Sequence, residues 1–176
     1  MEGQAVTVGV VSDTHGLLRP EVLRLFRGVD LILHAGDVGD PRILTDLAAI
    51  APVRAVWGNV DGWDVRRETE EDVRAEVDGA IVAVVHGHRV ADYDQLPDLY
   101  PDARVIVHGH SHVPKVDRRG DGRLVLNPGS AGPKRLGKPV TAALLRIRPD
   151  GDLDVEIRDL ESGEEWRPPD AGGDRG

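Results

Sequence analysis

The chain has 176 residues, enough for one well-filled core but not for a second full domain. Hydrophobic residues make up 40%, which marks a folded globular protein, and a formal net charge of -9 speaks against a surface that coats nucleic acid, since that needs a basic stripe to displace counterions. Cysteine is absent, so disulfides and thiolate metal sites are excluded and any metal must be held by nitrogen and oxygen.

In chain order, Ala5 to Val11 reads as a buried strand: short, β-branched and bounded by turn residues. Nothing basic precedes it and Ser12-Asp13 interrupts its apolar run, so we read no secretory signal; with no membrane-length apolar stretch either, the default location is the cytoplasm. "RPEVLRLFRG" follows as a short helix, with Pro20 suited to its first turn and Gly28 to its end. "VDLILHAGD" is a second buried strand. "DPRILTDLAAI" is a helix that Asp40 can cap, with Pro41 at its first position. "PVRAVWGN" is a third strand. This β-α-β-α-β opening predicts parallel strands with right-handed crossovers.

From about Val73 the pattern changes. "VRAEVDGAIVAVVHGH" and "VPKVDRRGDGRLVLNPGS" read as hairpins, the second turning at Gly120-Asp121-Gly122. Between them lie a short helical piece near Gln95 to Tyr100 and a strand from Ala103 to Val107. "VTAALLRIRPDGDLDVEIRDL" is a further hairpin, turning at Pro149-Asp150-Gly151. The polar, Gly- and Pro-rich stretch from Ser162 reads as a flexible tail, which leaves residues 1–161 as a single domain. The fold expected is α/β, two mixed sheets packed on each other with helices outside.

Five short segments share one feature. Each follows an apolar run and offers an oxygen or nitrogen ligand on the loop: "SDTHG" (Asp13, His15), "AGDVGD" (Asp37), "GNVD" (Asn59), "HGH" (His86) and "HGHSH" (His110, His112). In α/β sheets functional groups gather at loops beyond the carboxyl ends of strands, so five such loops can converge. Side chains at Asp13 and His15, or at His110 and His112, project to one side if the backbone is extended. Seven donors are too many for one tetrahedral zinc ion and suit two cations sharing a carboxylate. Imidazoles, carboxylates and a carboxamide favour Mn, Fe, Co, Ni or Zn over Ca or Mg.

Taken singly, these residues have plainer readings. A histidine beside glycine is often a loop residue bonded to the backbone; Asp13 and Asp37 could cap helices or form turns, and Asn59 could form one. As a set those readings fail, because all seven histidines of the chain fall in the same few segments. His34 and His108 adjoin the candidate ligands without being needed as ligands and are read as supporting or core residues. His88 adjoins His86 and stands open between a supporting role and one toward a bound group.

The ordered set D-x-H, G-D, G-N, H and G-H-x-H resembles the calcineurin-like metallophosphoesterases over roughly residues 5 to 160. The absence of a cap domain, "GNVD" in place of a GNH segment, and the late "NPGS" resemble its compact YfcE-like phosphodiesterase branch. That resemblance implies an αββα sandwich with a binuclear site on loops at the strand ends. It implies that Asp13, His15 and His112 hold one metal, that Asn59, His86 and His110 hold the other, and that Asp37 bridges them. Manganese is the first choice among the metals. It further implies hydrolysis of a small phosphoester by a metal-bridging hydroxide, held at Asp37, while Asn59 stabilises the phosphate and His88 helps bind it. No membrane partner is expected, and a homo-oligomer is expected only by analogy with relatives. Larger relatives carry His where this chain has Val60, so general-acid help from that place is missing. A competing class uses the same fold without catalysis: the eukaryotic retromer subunit resembles this branch and serves as a docking scaffold. All seven expected ligand positions here carry competent donors, which favours the enzyme.

Overall fold

The computed structural model describes residues 4–169. Two five-stranded mixed sheets pack face to face, with short helices on both outer surfaces. One sheet is ordered β10-β9-β1-β2-β3, from β1 (Val6–Val11), β2 (Leu31–His34), β3 (Val53–Ala55), β9 (Thr141–Ile147) and β10 (Leu153–Asp159). The other is ordered β4-β5-β6-β8-β7, from β4 (Asp72–Val77), β5 (Ala80–Val85), β6 (Val105–Val107), β7 (Lys115–Arg118) and β8 (Leu124–Asn127). The opening β1, β2 and β3 are parallel, as are β5, β6 and β8, whereas the hairpin partners run antiparallel.

The layers follow from the two-residue period of the strands. Val8 and Val10 of β1 face the core between the sheets, where they meet Val82, Val84, Val105, Val107, Leu124 and Leu126 of the second sheet. The alternate residues face outward: Val11 packs with helices α1 (Pro20–Leu25), α2 (Arg42–Ala48) and α3 (Trp63–Arg66) through Val22, Leu47 and Val65. Gly9 lies directly under Phe26, the only phenylalanine; a Cβ there would come within 2.8 Å of the ring. Helix α4 (Leu96–Leu99) covers the far side of the second sheet through Leu96, against Ala83, Ile106 and Val125.

Several elements are shorter than periodicity predicts. The second strand ends at His34 and the third at Ala55, because the chain beyond each turns away to build a loop. Helix α3 occupies four residues, too few for a helical period to be legible. Helix α2 begins at Arg42, whose N–H is accepted by the Asp40 carboxylate at 2.9 Å. Of the stretch expected to be a flexible tail, residues 163–166 turn back along β10: Trp166 donates its N–H to Ile157 at 2.7 Å and packs its ring on the core between the sheets. Its apolar ring finds cover there that a polar tail would not provide. Residues 170–176 of that stretch lie outside the described residues. No described helix is long and apolar enough to cross a membrane.

Candidate metal centre

All five loops meet at one end of the sandwich. Asp13 and His15 follow β1, Asp37 follows β2, Asn59 follows β3, His86 follows β5, and His110 and His112 follow β6. They gather in two clusters, Asp13 with His15 and His112, and Asp37 with His86 and His110, each within 4.8 Å between donor atoms. In the first, His112 Nε2 lies 3.1 Å and His15 Nε2 lies 3.8 Å from Asp13 Oδ1. In the second, His86 Nε2 lies 3.2 Å from Asp37 Oδ2 and 3.1 Å from Asn59 Oδ1. Asp37 Oδ2 is also 3.8 Å from His15 Nε2, so one carboxylate oxygen faces both clusters.

The aim of these side chains does not come from extended backbone, as their i, i+2 spacing suggested. Asp13, His15, Asp37, His110 and His112 all have φ between 47° and 68°, the left-handed region. Such conformations are costly for residues with a Cβ and persist where surrounding structure holds them. The only other non-glycine residue of this kind among those described is Asp78, in the Asp78-Gly79 hairpin turn.

What holds the loops is a set of buried polar bonds and close glycine contacts. Asp61 is the main brace. Its carboxylate accepts the N–H groups of Gly58 (2.8 Å), Gly39 (2.9 Å) and Val38 (3.1 Å), tying the Asp37 loop to the Asn59 loop. Gly58 is packed so tightly that a Cβ would sit 2.0 Å from Asp37 Oδ1. Gly109 is equally constrained, with a Cβ falling 2.0 Å from Ser12 Oγ. Asn127, from "NPGS", donates to the Gly109 carbonyl and to Ser111 Oγ, and Ser130 donates to the Asp13 carbonyl. Sequence reasoning undervalued Asp61, Ser12, Asn127 and Ser130. Their signal was faint: polar residues adjoining ligand loops, in positions that ordinary turns also favour.

The remaining sequence candidates fall where they were expected to be near, with different jobs. His34 is buried, its Nε2 2.9 Å from Thr14 Oγ1 and its Nδ1 accepting the Gly36 N–H. His108 is buried and stacked on Tyr93, ring centroids 4.2 Å apart. His88 stands beside the second cluster, 5.4 Å from the His86 ring and 6.3 Å from that of His110. Val60 is exposed, and its N–H donates to Asp37 Oδ1 at 3.1 Å.

The donor arrangement fits cations. Asp13 Oδ2 is occupied by the Ser12 hydroxyl and the His110 N–H, but the buried Oδ1 has no hydrogen-bond partner. His86 Nδ1 lies 2.7 Å from the Ala35 carbonyl, which can only accept, so in neutral His86 the lone pair of Nε2 points at two oxygens. His15 and His112 set Nε2 against Nε2 at 3.3 Å. Lone pairs converging in this way repel unless a proton or a cation sits between them. Consistently, burial would raise both carboxyls, but the close approach of His112 to Asp13 and the charge of His86 hold Asp13 low, and the contact with His86 holds Asp37 low. Burial would lower His86, yet its bond to Asp37 and the charges of Asp13 and Asp37 leave it raised. The site attracts positive charge.

The family model for the calcineurin-like phosphoesterase superfamily domain matches residues 6–150. The chain belongs to that superfamily. A curated protein of Methanothermobacter thermautotrophicus named "probable metallophosphoesterase" is 40% identical over 160 residues, covering 85% of this chain and 90% of its own. Among solved structures, the E. coli phosphoesterase Yfce superposes with a TM-score of 0.70 at 24% identity, covering 92% of this chain and 97% of its own. Vacuolar protein sorting 29 from Cryptosporidium parvum superposes at 0.80 with 21% identity, covering 93% and 96%. At those identities the two structural likenesses establish the αββα phosphoesterase fold, and the family match establishes the metallophosphoesterase class.

Burial in this phosphoesterase fold also sets a pH dependence. His34 and His108 are pushed down to about 4, chiefly by burial. Both stay neutral where the unfolded chain, near its ordinary value of 6.5, takes up protons. Each therefore contributes stability present above pH 6.5 and lost as pH falls toward 4. His86, being raised, acts in the opposite sense and loses its contribution as pH rises above 6.5. Denaturant titration in chelator is expected to show lower stability at pH 5 than at pH 7, with roughly 2 kcal/mol from each of His34 and His108. His108→Gln should flatten that slope; an unchanged slope would contradict its buried neutral state.

Proposed function

We propose that this metallophosphoesterase is a phosphodiesterase working with two divalent cations, manganese first among them, on small or activated esters. Asp13, His15 and His112 would hold one cation and Asn59, His86 and His110 the other, with Asp37 between. The observation that carries this reading is the position of Asp37 Oδ2, within 3.8 Å of His15 on one side and 3.2 Å of His86 on the other. When bound, such a pair of ions supplies water of lowered pKa and neutralises charge at phosphorus.

The chain's own residues do the rest. Asp37 is held by the Val60 N–H and carries the charge that would draw both cations together. Asn59 turns its carbonyl oxygen toward His86, which leaves its exposed amide N–H groups to donate to a phosphoryl oxygen. Val60 can donate no proton from its side chain. Esters with poor leaving groups are therefore expected to react more slowly than aryl esters, by the roughly 10²–10⁴-fold that general-acid help is worth.

The test is elemental analysis followed by assay. Hydrolysis of an aryl phosphodiester should vanish on chelation and return with Mn; equal rates with and without chelator would sink the reading. A docking scaffold on the same fold has one observation in its favour, the exposure of Val60 (57%) and Trp63 (74%) near the site. It gives no account of five strained residues all aiming donors at two points. The chelation assay separates the two.

A further inference from the structure

Beside the second cluster, three cationic or basic side chains crowd around one indole. Trp57 lies two residues before Asn59. The Arg66 guanidinium sits 4.3 Å from the centre of its ring, that of Arg89 sits 5.3 Å away, and the His88 ring 5.6 Å away. Arg66 is fixed at its other edge: its Nε donates to the Asp61 carbonyl at 2.8 Å, and the Asp61 carboxylate holds Gly58, next to Asn59. Its fork is thus rigidly placed relative to the phosphate-facing amide. Among the described residues no acceptor engages either terminal nitrogen of Arg66. Arg89 bonds Glu71, and His88 keeps a buried Nδ1 without a partner.

Packing alone explains this poorly. One guanidinium suffices to cover an indole face. Glu71 balances Arg89, whereas Arg66 has no carboxylate in ion-pair reach among the described residues and stands next to a site that itself collects cations. An anion held by Arg66 would supply the missing partner. A planar fork already immobilised by stacking and by one hydrogen bond loses little freedom in gripping two oxygens.

We propose that Arg66, stacked on Trp57 with Arg89 and His88 alongside, binds a second phosphate group of the substrate, distinct from the one that is hydrolysed. The preferred substrates are then small phosphodiesters that carry another phosphate. This rests on the phosphodiesterase reading and narrows it.

The experiment uses the metal-loaded full chain and two p-nitrophenyl phosphodiesters matched except at the second ester arm, one alkyl and one phosphoalkyl, with a carboxyalkyl ester as a third arm. The wild type should favour the phosphoalkyl ester in kcat/KM, and Arg66→Gln should reduce that preference roughly 10–100-fold, mainly through KM. Arg66→Lys, which keeps the charge without the fork, should recover only part and serves if the Gln variant fails to fold. Equal preference for the carboxyalkyl ester would overturn the assignment of phosphate. A preference near one, or one unchanged by either variant while alkyl ester turnover remains metal-dependent, overturns the inference and leaves the phosphodiesterase reading intact. If no ester is turned over, calorimetry with methylene bisphosphonate against methyl phosphonate decides separately. Tighter binding of the bisphosphonate by wild type but not by Arg66→Gln upholds the anion site, and equal binding ends it.

Discussion

Asp37→Asn is expected to lower kcat by more than about 10³-fold and to leave less than two equivalents of metal in the purified protein. The reason is charge. Among the described residues Asp37 Oδ2 is the one carboxylate oxygen that faces both clusters, and an amide in its place removes the negative charge that a pair of cations would share. Loss of folding should not confuse the result. An Asn side chain can keep its oxygen on the Val60 N–H and turn its NH₂ toward the Nε2 of neutral His86, so that the charged contact of Asp37 with His86 is exchanged for a hydrogen bond in the absence of metal. The melting temperature in chelator should therefore fall by no more than about 4 °C, the cost of weakening one polar contact in a chain of this size. Elemental analysis, single-turnover rates and a thermal melt check the three parts. Two equivalents of tightly held metal in the variant would refute the shared-carboxylate role.

Asp61→Ala is expected to be the most destabilising change at the site outside the metal-facing groups. Asp61 is 3% exposed, and its carboxylate is the acceptor for three backbone N–H groups, those of Val38, Gly39 and Gly58. Removing it strands those donors in a region with little water, at a cost of about 1–3 kcal/mol for each that stays unpaired. A total of roughly 3 kcal/mol corresponds to a drop in melting temperature of roughly 6–12 °C for a chain of this size. Because the three N–H groups flank Asp37 and Asn59, metal affinity should also fall, by about 10–100-fold as for other supports of metal ligands. Asp61→Asn, which keeps one acceptor oxygen but points an NH₂ at another donor, should lie between. A melting temperature within about 1 °C of wild type for the Ala variant would show that the loops hold themselves.

Much of this site was legible because donor chemistry was concentrated. Seven histidines in few segments, each after an apolar run, with Asp13, Asp37 and Asn59 in matching places, are a pattern that local turn formation does not produce. The order of motifs then carried the family resemblance, and the family match over residues 6–150 agrees with it. The sheets were legible for the same kind of reason: Val, Leu, Ile and Ala in short runs with Gly-containing turns specify strands and hairpins almost locally. Trp57, Arg66 and Arg89 could not be grouped in that way. They come from a loop, a four-residue helix and a separate turn, and no period links them.

From its sequence alone this protein was determined to be an α/β sandwich whose strand ends carry nitrogen and oxygen donors for cations, because residue type and short-range order fix strand preference and ligand chemistry. The tertiary structure decided how those donors are aimed. The left-handed backbone at Asp13, His15, Asp37, His110 and His112, the brace from Asp61 to three remote N–H groups, and the fit of Gly58 against Asp37 all depend on contacts between distant segments. A strained conformation is stable only when its surroundings hold it, and those surroundings exist only once the sheets have packed.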